Sequence, residues 1–86
     1  MIGEFATSIA GHDKNQLYII IREENEYVYL ADGHHKTIEH PKKKSHKHIQ
    51  PIHHYSNEQL TAKIREHQLI YDEEIKRAIK LYKQVL

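Results

Sequence analysis

Two short apolar runs separated by a polar turn set the strongest limit on how this chain can fold. Residues 17–21 form a near-continuous run of β-branched and aromatic residues, and residues 27–31 repeat the pattern after the polar segment 22–26. Such residues favour strands, and a run that is apolar at every position is typical of a strand buried on both faces. We therefore predict a β-hairpin over residues 17–31.

Shorter segments around the hairpin complete a predicted sheet. Residues 4–9 precede it, and short strands around residues 36–39 and 48–50 follow it. The dipeptide Asp32-Gly33 is a turn signal, and Pro41, which cannot donate to a strand ladder, begins a predicted loop that carries the following lysines. Four or five short strands in about fifty residues favour a small closed barrel over a sandwich. The sequence thus predicts a mainly β domain over residues 1–54.

The hydrophobic period changes in residues 55–86, where two helices are predicted. Ser56 with Gln59 three residues later has the pattern of a capping box for a helix over about residues 57–67. Asp72 is the predicted N-cap of a second helix. That helix carries one apolar stripe, made of Ile75, Ala78, Ile79, Tyr82 and Leu86. We expect this helical hairpin to pack on the barrel, with a docking surface for a partner protein as the alternative.

Composition limits the classes of function. A chain of 86 residues buries a small core, which leaves little room for an enclosed active-site cleft. It has no cysteine, which excludes a disulfide framework, a thiol nucleophile and thiolate metal sites. No nucleophile stands in a recognisable catalytic context, and no glycine-rich phosphate loop is present. We predict a protein that is not an enzyme and that has no cofactor and no small-molecule substrate.

The sequence also predicts where the protein resides. No apolar run approaches the roughly 18 residues that a membrane span needs. The first residues lack the basic segment and apolar stretch of a secretory signal. We therefore expect a cytoplasmic protein without a membrane partner.

Charge is distributed unevenly along the chain. The formal net charge is +1, but residues 34–54 hold five lysines against one carboxylate, Glu39, together with seven of the nine histidines. A basic stripe of this kind is the electrostatic footprint of a polyanion partner. The histidines could also bind a metal ion, but the chain offers no fixed four-ligand spacing and the lysines repel cations. We therefore predict no metal site, and expect the histidines to extend the basic stripe.

Residues 2–52 contain five short motifs. They are Ile2-Gly3, Ala10-Gly11-His12-Asp13-Lys14, Ala31-Asp32-Gly33, Glu39-His40-Pro41-Lys42-Lys43-Lys44 and Lys47-His48-Ile49. Together they resemble the motifs of KOW-motif proteins, which are small SH3-like barrels of ribosomal proteins and transcription elongation factors. More narrowly, the chain resembles short bacterial KOW-domain RNA-binding proteins related to the fourteenth large-subunit ribosomal protein of archaea and eukaryotes. Two positions depart from the family pattern, because His12 stands where a basic residue, typically Arg, is usual and Asn15 stands where Gly is usual.

The resemblance implies a five-stranded SH3-like barrel that binds RNA, with ribosomal RNA as the expected target and ribosomal or translation-associated proteins as further partners. Lysines that neutralise phosphates release counterions, which gives affinity with little dependence on base sequence. Tyr18, Tyr27, Tyr29 and Tyr55 are candidate stacking faces, although tyrosines in strands are more often half-buried core. The alternative is a protein-interaction module that docks onto a transcription or translation factor. The predicted RNA-binding residues are Gly11, His12, Lys14, Asn15, Lys36, Lys42, Lys43, Lys44, His46 and Lys47.

Overall fold

The computed structural model describes residues 1–86 and contains a five-stranded antiparallel sheet and two helices. The strand order is β4-β3-β2-β1-β5, so the last strand lies beside the first. Neither helix combines the length and apolar character needed to cross a bilayer. The strands are β1 (Phe5–Ser8), β2 (Leu17–Glu24), β3 (Tyr27–Ala31), β4 (Lys42–Ser45) and β5 (Ile49–Pro51), the helices are α1 (Glu58–Arg65) and α2 (Asp72–Gln84), and a 3₁₀ helix spans His46–His48.

The central hairpin of β2 and β3 confirms the prediction for residues 17–31. β2 continues through the polar residues as far as Glu24, so the turn is shorter than expected. Asn25 occupies the turn with a φ of 53°, a left-handed conformation that Asn tolerates better than most residues. The register shifts between Ile20 and Arg22, which leaves Ile21 as the extra residue of a β-bulge.

The sheet buries apolar side chains on both faces, as the unbroken apolar run in β2 predicts. Leu17 and Ile19 face a cluster that the helices complete, while Tyr18 and Ile20 face a second cluster within the sheet. This division follows from the alternation of side chains along a strand. The first cluster also contains Phe5, Ala31, Leu60, Ile64, Ile75, Ala78, Ile79 and Tyr82, and the second contains Ala6, Val28, Leu30 and Ile49.

The connection between the two edge strands shows that the sheet curls. In a flat five-stranded sheet, four spacings of about 4.8 Å would separate the edges by about 19 Å. β4 and β5 are joined only by the 3₁₀ helix His46–His48, which advances about 2 Å per residue. The edges therefore lie much closer together than in a flat sheet, although no ladder joins β4 to β5.

Both predicted helices form, and the apolar stripe of α2 packs on the sheet as expected. Ile75, Ile79 and Tyr82 are buried in the cluster that contains Phe5 and Ile19, so residues 1–54 and 55–86 share one core. Leu86 does not belong to the buried stripe, because it lies beyond the end of α2 and is 78% exposed.

The helix caps differ by one residue from the predicted ones. The side chain of Asn57, not that of Ser56, accepts a hydrogen bond from the backbone N–H of Leu60 at 3.1 Å. Tyr71 is the N-cap of α2, and its backbone N–H donates to the Glu74 carboxylate at 2.9 Å. Asp72 is the first helical residue, and its carboxylate accepts from the backbone N–H of Ile38 at 2.9 Å.

The predictions of a strand around residues 36–39 and of a lysine loop after Pro41 are wrong. Asp32 accepts hydrogen bonds from the backbone N–H groups of His34 and Lys36, which holds residues 32–36 in a turn. The strand begins only after Pro41, so the lysine run itself forms β4 and pairs with β3. β4 is an edge strand, where lysines are common because they discourage pairing with other chains.

The turn that follows β3 packs directly on α2, and Gly33 makes this packing possible. Gly33 has a φ of 80°, and a Cβ at this position would collide with the backbone carbonyl of Asp72. Only glycine combines this backbone conformation with such a close approach.

Candidate functional site

The segment between β1 and β2, residues 9–16, forms a tight turn that we call the β1–β2 turn. Gly11 and Asn15 adopt left-handed conformations with φ values of 85° and 75°. The backbone N–H of Asn15 donates to the Ser8 carbonyl at 2.8 Å, and that of Gln16 donates to the Asp13 carbonyl at 2.9 Å. Asn15 therefore supports the positive φ that the KOW pattern usually assigns to Gly.

Asp13 anchors this turn to the strands. Its carboxylate accepts hydrogen bonds from the Ser8 hydroxyl at 2.8 Å, the Tyr18 hydroxyl at 2.8 Å and the Lys44 ammonium at 2.6 Å. Partial burial disfavours the charged carboxylate, but the three donors, Lys44 foremost, hold the pKa of Asp13 well below its usual range. Burial and the bond to the Asp13 carboxylate raise the pKa of the Tyr18 hydroxyl, which therefore stays protonated.

Lys44 is the other half of this anchor. Its ammonium also donates to the Ala10 carbonyl at 2.9 Å, so two of its three N–H donors are used within the protein. The side chain of Lys44 is only 10% exposed, and that of Asp13 is 19% exposed. The pair joins β4 to the β1–β2 turn across 31 residues of sequence.

The anchor brings together the two segments that the sequence analysis had selected separately. A second link is the hydrogen bond from the backbone N–H of Ile9 to the His48 carbonyl, at 2.9 Å. We call the exposed cationic and imidazole side chains of these two segments, taken together, the basic surface. Its members are His12, Lys14, Lys43, Lys47 and His48.

The lysines of the basic surface are unpaired. Lys14, Lys43 and Lys47 make no ion pair with a carboxylate. The ammonium of Lys43 lies 4.4 Å from the centre of the Tyr27 ring, and Tyr27 is 38% exposed. A cation over the face of an aromatic ring is held in place without losing its charge.

Besides Lys44, three predicted basic residues lie outside the exposed basic surface. Lys36 belongs to the turn after β3, where its backbone carbonyl accepts from the N–H groups of Asp32 and Gly33. Lys42 begins β4 opposite Leu30, at the end of that strand away from the 3₁₀ helix. His46 is half-buried, and its Nε2 has no hydrogen-bond partner and lies 3.8 Å from the Glu23 carboxylate.

The four candidate stacking tyrosines divide into two pairs. Tyr18 is buried, and Tyr55 stacks on Tyr82 with a centroid distance of 4.5 Å, so both belong to the core. Tyr27 and Tyr29 lie on the outer face of β3, where Tyr29 carries the Arg22 guanidinium 4.0 Å above its ring.

Arg22 is a candidate residue that the sequence analysis missed. It lies directly opposite Tyr29 in the β2–β3 ladder. Arg22 follows the apolar run of β2, and the partner strand β3 is rich in tyrosine. Because residues opposite each other on paired strands interact, this position could have predicted a contact between Arg22 and a tyrosine. The polar character of residues 22–26 instead predicts a turn there.

The histidines do not converge into a metal-binding arrangement. No group of three or more His, Asp or Glu side chains has a geometry that could hold a metal ion. His34 and His35 lie side by side with ring centroids 4.3 Å apart, while Nδ1 of His53 donates to the Glu4 carboxylate at 2.8 Å.

Comparison with known proteins adds no relative. The sequence matches no protein-family model and no curated protein.

Proposed function

We propose that this chain is a non-catalytic RNA-binding protein that contacts the phosphate backbone through the basic surface. The observation that carries the proposal is the Asp13–Lys44 anchor, which fixes the β1–β2 turn against β4 and the 3₁₀ helix. Unpaired lysines on both segments then present positive charge from a rigid support. Preorganised ammonium groups suit a polyanion, because binding releases counterions without first ordering the chain.

The residues have different roles in this proposal. Lys14, Lys43 and Lys47 contact phosphates as point charges, and His12 adds a donor. Tyr27 holds the Lys43 side chain and offers its exposed edge to a base. Lys44 and Asp13 position the turn, while Gly11 and Asn15 supply its backbone conformation.

The fold type, the target and the location follow from the resemblance and are part of the proposal. The curled sheet, in which β5 returns beside β1, supports assignment to the SH3-like barrels of KOW type. Ribosomal RNA is then the expected target, ribosomal or translation-associated proteins are the expected neighbours, and the cytoplasm is the expected location. Crosslinking in cells, followed by sequencing of the attached RNA, identifies the target.

The test is the salt dependence of RNA affinity. We compare the wild-type protein with the triple variant Lys14→Gln/Lys43→Gln/Lys47→Gln on a single-stranded RNA oligonucleotide of mixed sequence. Each lost phosphate contact lowers the slope of log affinity against log salt by about 0.7, so the triple variant should lose about 2 in slope. The matched control is the triple variant Lys63→Gln/Arg65→Gln/Arg77→Gln, which removes three positive charges from the helical half. Its slope of log affinity against log salt should stay close to that of the wild-type protein. If the triple variant is folded and binds with the wild-type slope, the proposal is wrong.

A protein-docking module is the second candidate, and exposed apolar side chains on the helical half favour it. Association with a partner that survives ribonuclease treatment and high salt would support this candidate. The exposed side chains are Leu69, Tyr71, Leu81, Val85 and Leu86.

A further inference from the structure

A second cationic surface lies beside α2. A depression with a volume of about 590 Å³ is lined by residues of α2 and of the turn after β3, and we call it the α2 depression. Lys76, Lys80 and Lys83 line it from the helix, and His34 and His35 line it from the turn. At 1.5 Å per residue, the three lysines extend over about 10 Å of the helix axis.

These lysines differ from Lys63 and Arg65 of the helical half in having no partner within the protein. Lys63 pairs with the Glu74 carboxylate at 2.7 Å, and Arg65 donates to the Ile2 carbonyl at 3.0 Å. Lys76, Lys80 and Lys83 make no ion pair and no side-chain hydrogen bond. Several ammonium groups on one side of a helix without counter-charges do not stabilise the fold through ion pairs. They create a positive potential that favours binding of an anionic ligand.

The only carboxylate that lines the depression does not neutralise them. Asp32 is buried, and its oxygens accept from the backbone N–H groups of His34 and Lys36 and, at 3.4 Å, from the Gln16 side chain. These neutral donors stabilise the carboxylate without cancelling its charge, but the three lysines outnumber it. The depression therefore presents a net positive surface.

The β1–β2 turn connects the two cationic surfaces. Gln16, the last residue of this turn, lines the α2 depression and contacts Asp32. Lys14 and Asn15 precede it and are exposed. Through Gln16, the turn that carries His12 and Lys14 thus adjoins the depression that Lys80 and Lys83 line.

We propose that the α2 depression is a second contact site for the RNA backbone, so that one strand passes from β4 over the β1–β2 turn to α2. This inference rests on the proposed function and extends it to lysines of α2, which lie outside the basic stripe of residues 34–54. The contacts are electrostatic and do not read base sequence. His34 and His35 lie within the depression as additional donors to phosphate.

The test compares two double variants that remove the same charge from opposite flanks of the helical half. Lys80→Gln/Lys83→Gln alters the α2 depression, and Lys63→Gln/Arg77→Gln alters the groove between α1 and α2. On the same RNA oligonucleotide, the first variant should reduce the salt slope by about 1.4, while the second should leave it near the wild-type value. Thermal melts establish that both are folded.

The outcomes separate this inference from the proposed function. If Lys80→Gln/Lys83→Gln keeps the wild-type slope while Lys14→Gln/Lys43→Gln/Lys47→Gln flattens it, the α2 contact is wrong and the proposed function stands. Equal losses of slope in the two double variants would also overturn the α2 contact, since they would indicate a general charge effect. If the wild-type protein shows no salt-dependent RNA binding, both proposals fail.

Discussion

At the residue scale, the pair Asp13 and Lys44 decides how the candidate site is built. The KOW-like sequence pattern places both in regions expected to touch RNA, but their side chains bond each other and are largely shielded from water. A charged pair of this kind is costly to break from one side, because the remaining charge stays buried without a partner. Lys44 therefore positions the turn and is not itself an exposed cation.

We predict that Asp13→Asn lowers the free energy of unfolding by about 3 kcal/mol, since it leaves the Lys44 ammonium without a counter-charge. Chemical denaturation of the variant and the wild-type protein measures the difference. Glu39→Gln is the control, because Glu39 is exposed and makes no ion pair, and it should change stability by less than about 0.5 kcal/mol.

The difference in stability between the wild-type protein and Asp13→Asn depends on pH, and the pKa of Asp13 sets the direction of the change. The pKa of Asp13 is lower in the folded protein than its ordinary value of about 3.9, so the folded state favours the carboxylate. Its stabilising contribution is complete above about pH 4 and is lost as the pH falls further. The difference between wild type and Asp13→Asn should therefore shrink below about pH 4. A difference that stays constant down to strongly acidic pH would contradict this account of the anchor.

At the element scale, strand β4 explains why three consecutive lysines have three different environments. Side chains alternate along a strand, so Lys43 lies on the outer face over Tyr27, while Lys44 lies on the inner face opposite buried Val28. Lys42 begins the strand opposite Leu30. A lysine loop would have exposed all three equally, whereas the strand leaves only Lys43 exposed.

The packing of α2 gives the second prediction at this scale. Ile79 is buried between the helix and the sheet, so Ile79→Ala should lower stability by about 2–4 kcal/mol through lost contacts and a cavity. Val85→Ala is the control at the end of α2, because Val85 is 65% exposed and its truncation should have little effect. Thermal melts that show equal loss for the two variants, or none for Ile79→Ala, would mean that α2 does not share the core.

The elements that the sequence predicted best are those with a strong hydrophobic pattern. β2 and β3 were identified by their apolar runs, and α2 was identified by a stripe that repeats every 3.6 residues. β4 has no apolar residue, so only its place at the sheet edge makes it a strand. The ion pair between Asp13 and Lys44 could not be predicted from the sequence either. The two residues are 31 positions apart and come together only when the sheet curls.

At the scale of the whole molecule, the two apolar clusters and the cationic surfaces occupy different regions. One cluster fills the space between sheet and helices, and the other lies within the curl of the sheet. Both ends of the β1–β2 turn are tied to this core, through Ser8 and Leu17, while its middle faces solvent. The core thus holds the turn between β4, which Lys44 ties to it, and the α2 depression, which Gln16 lines.

A nuclear magnetic resonance titration tests the central claim most directly. With 86 residues, the protein is small enough for the backbone N–H signal of each residue to be followed as RNA is added. RNA binding through the basic surface predicts salt-sensitive shifts concentrated in residues 10–15 and 43–48, with weaker shifts near Lys80 and Lys83 and little change in α1. The absence of shifts in residues 10–15 and 43–48, or shifts confined to the groove between α1 and α2, would contradict it.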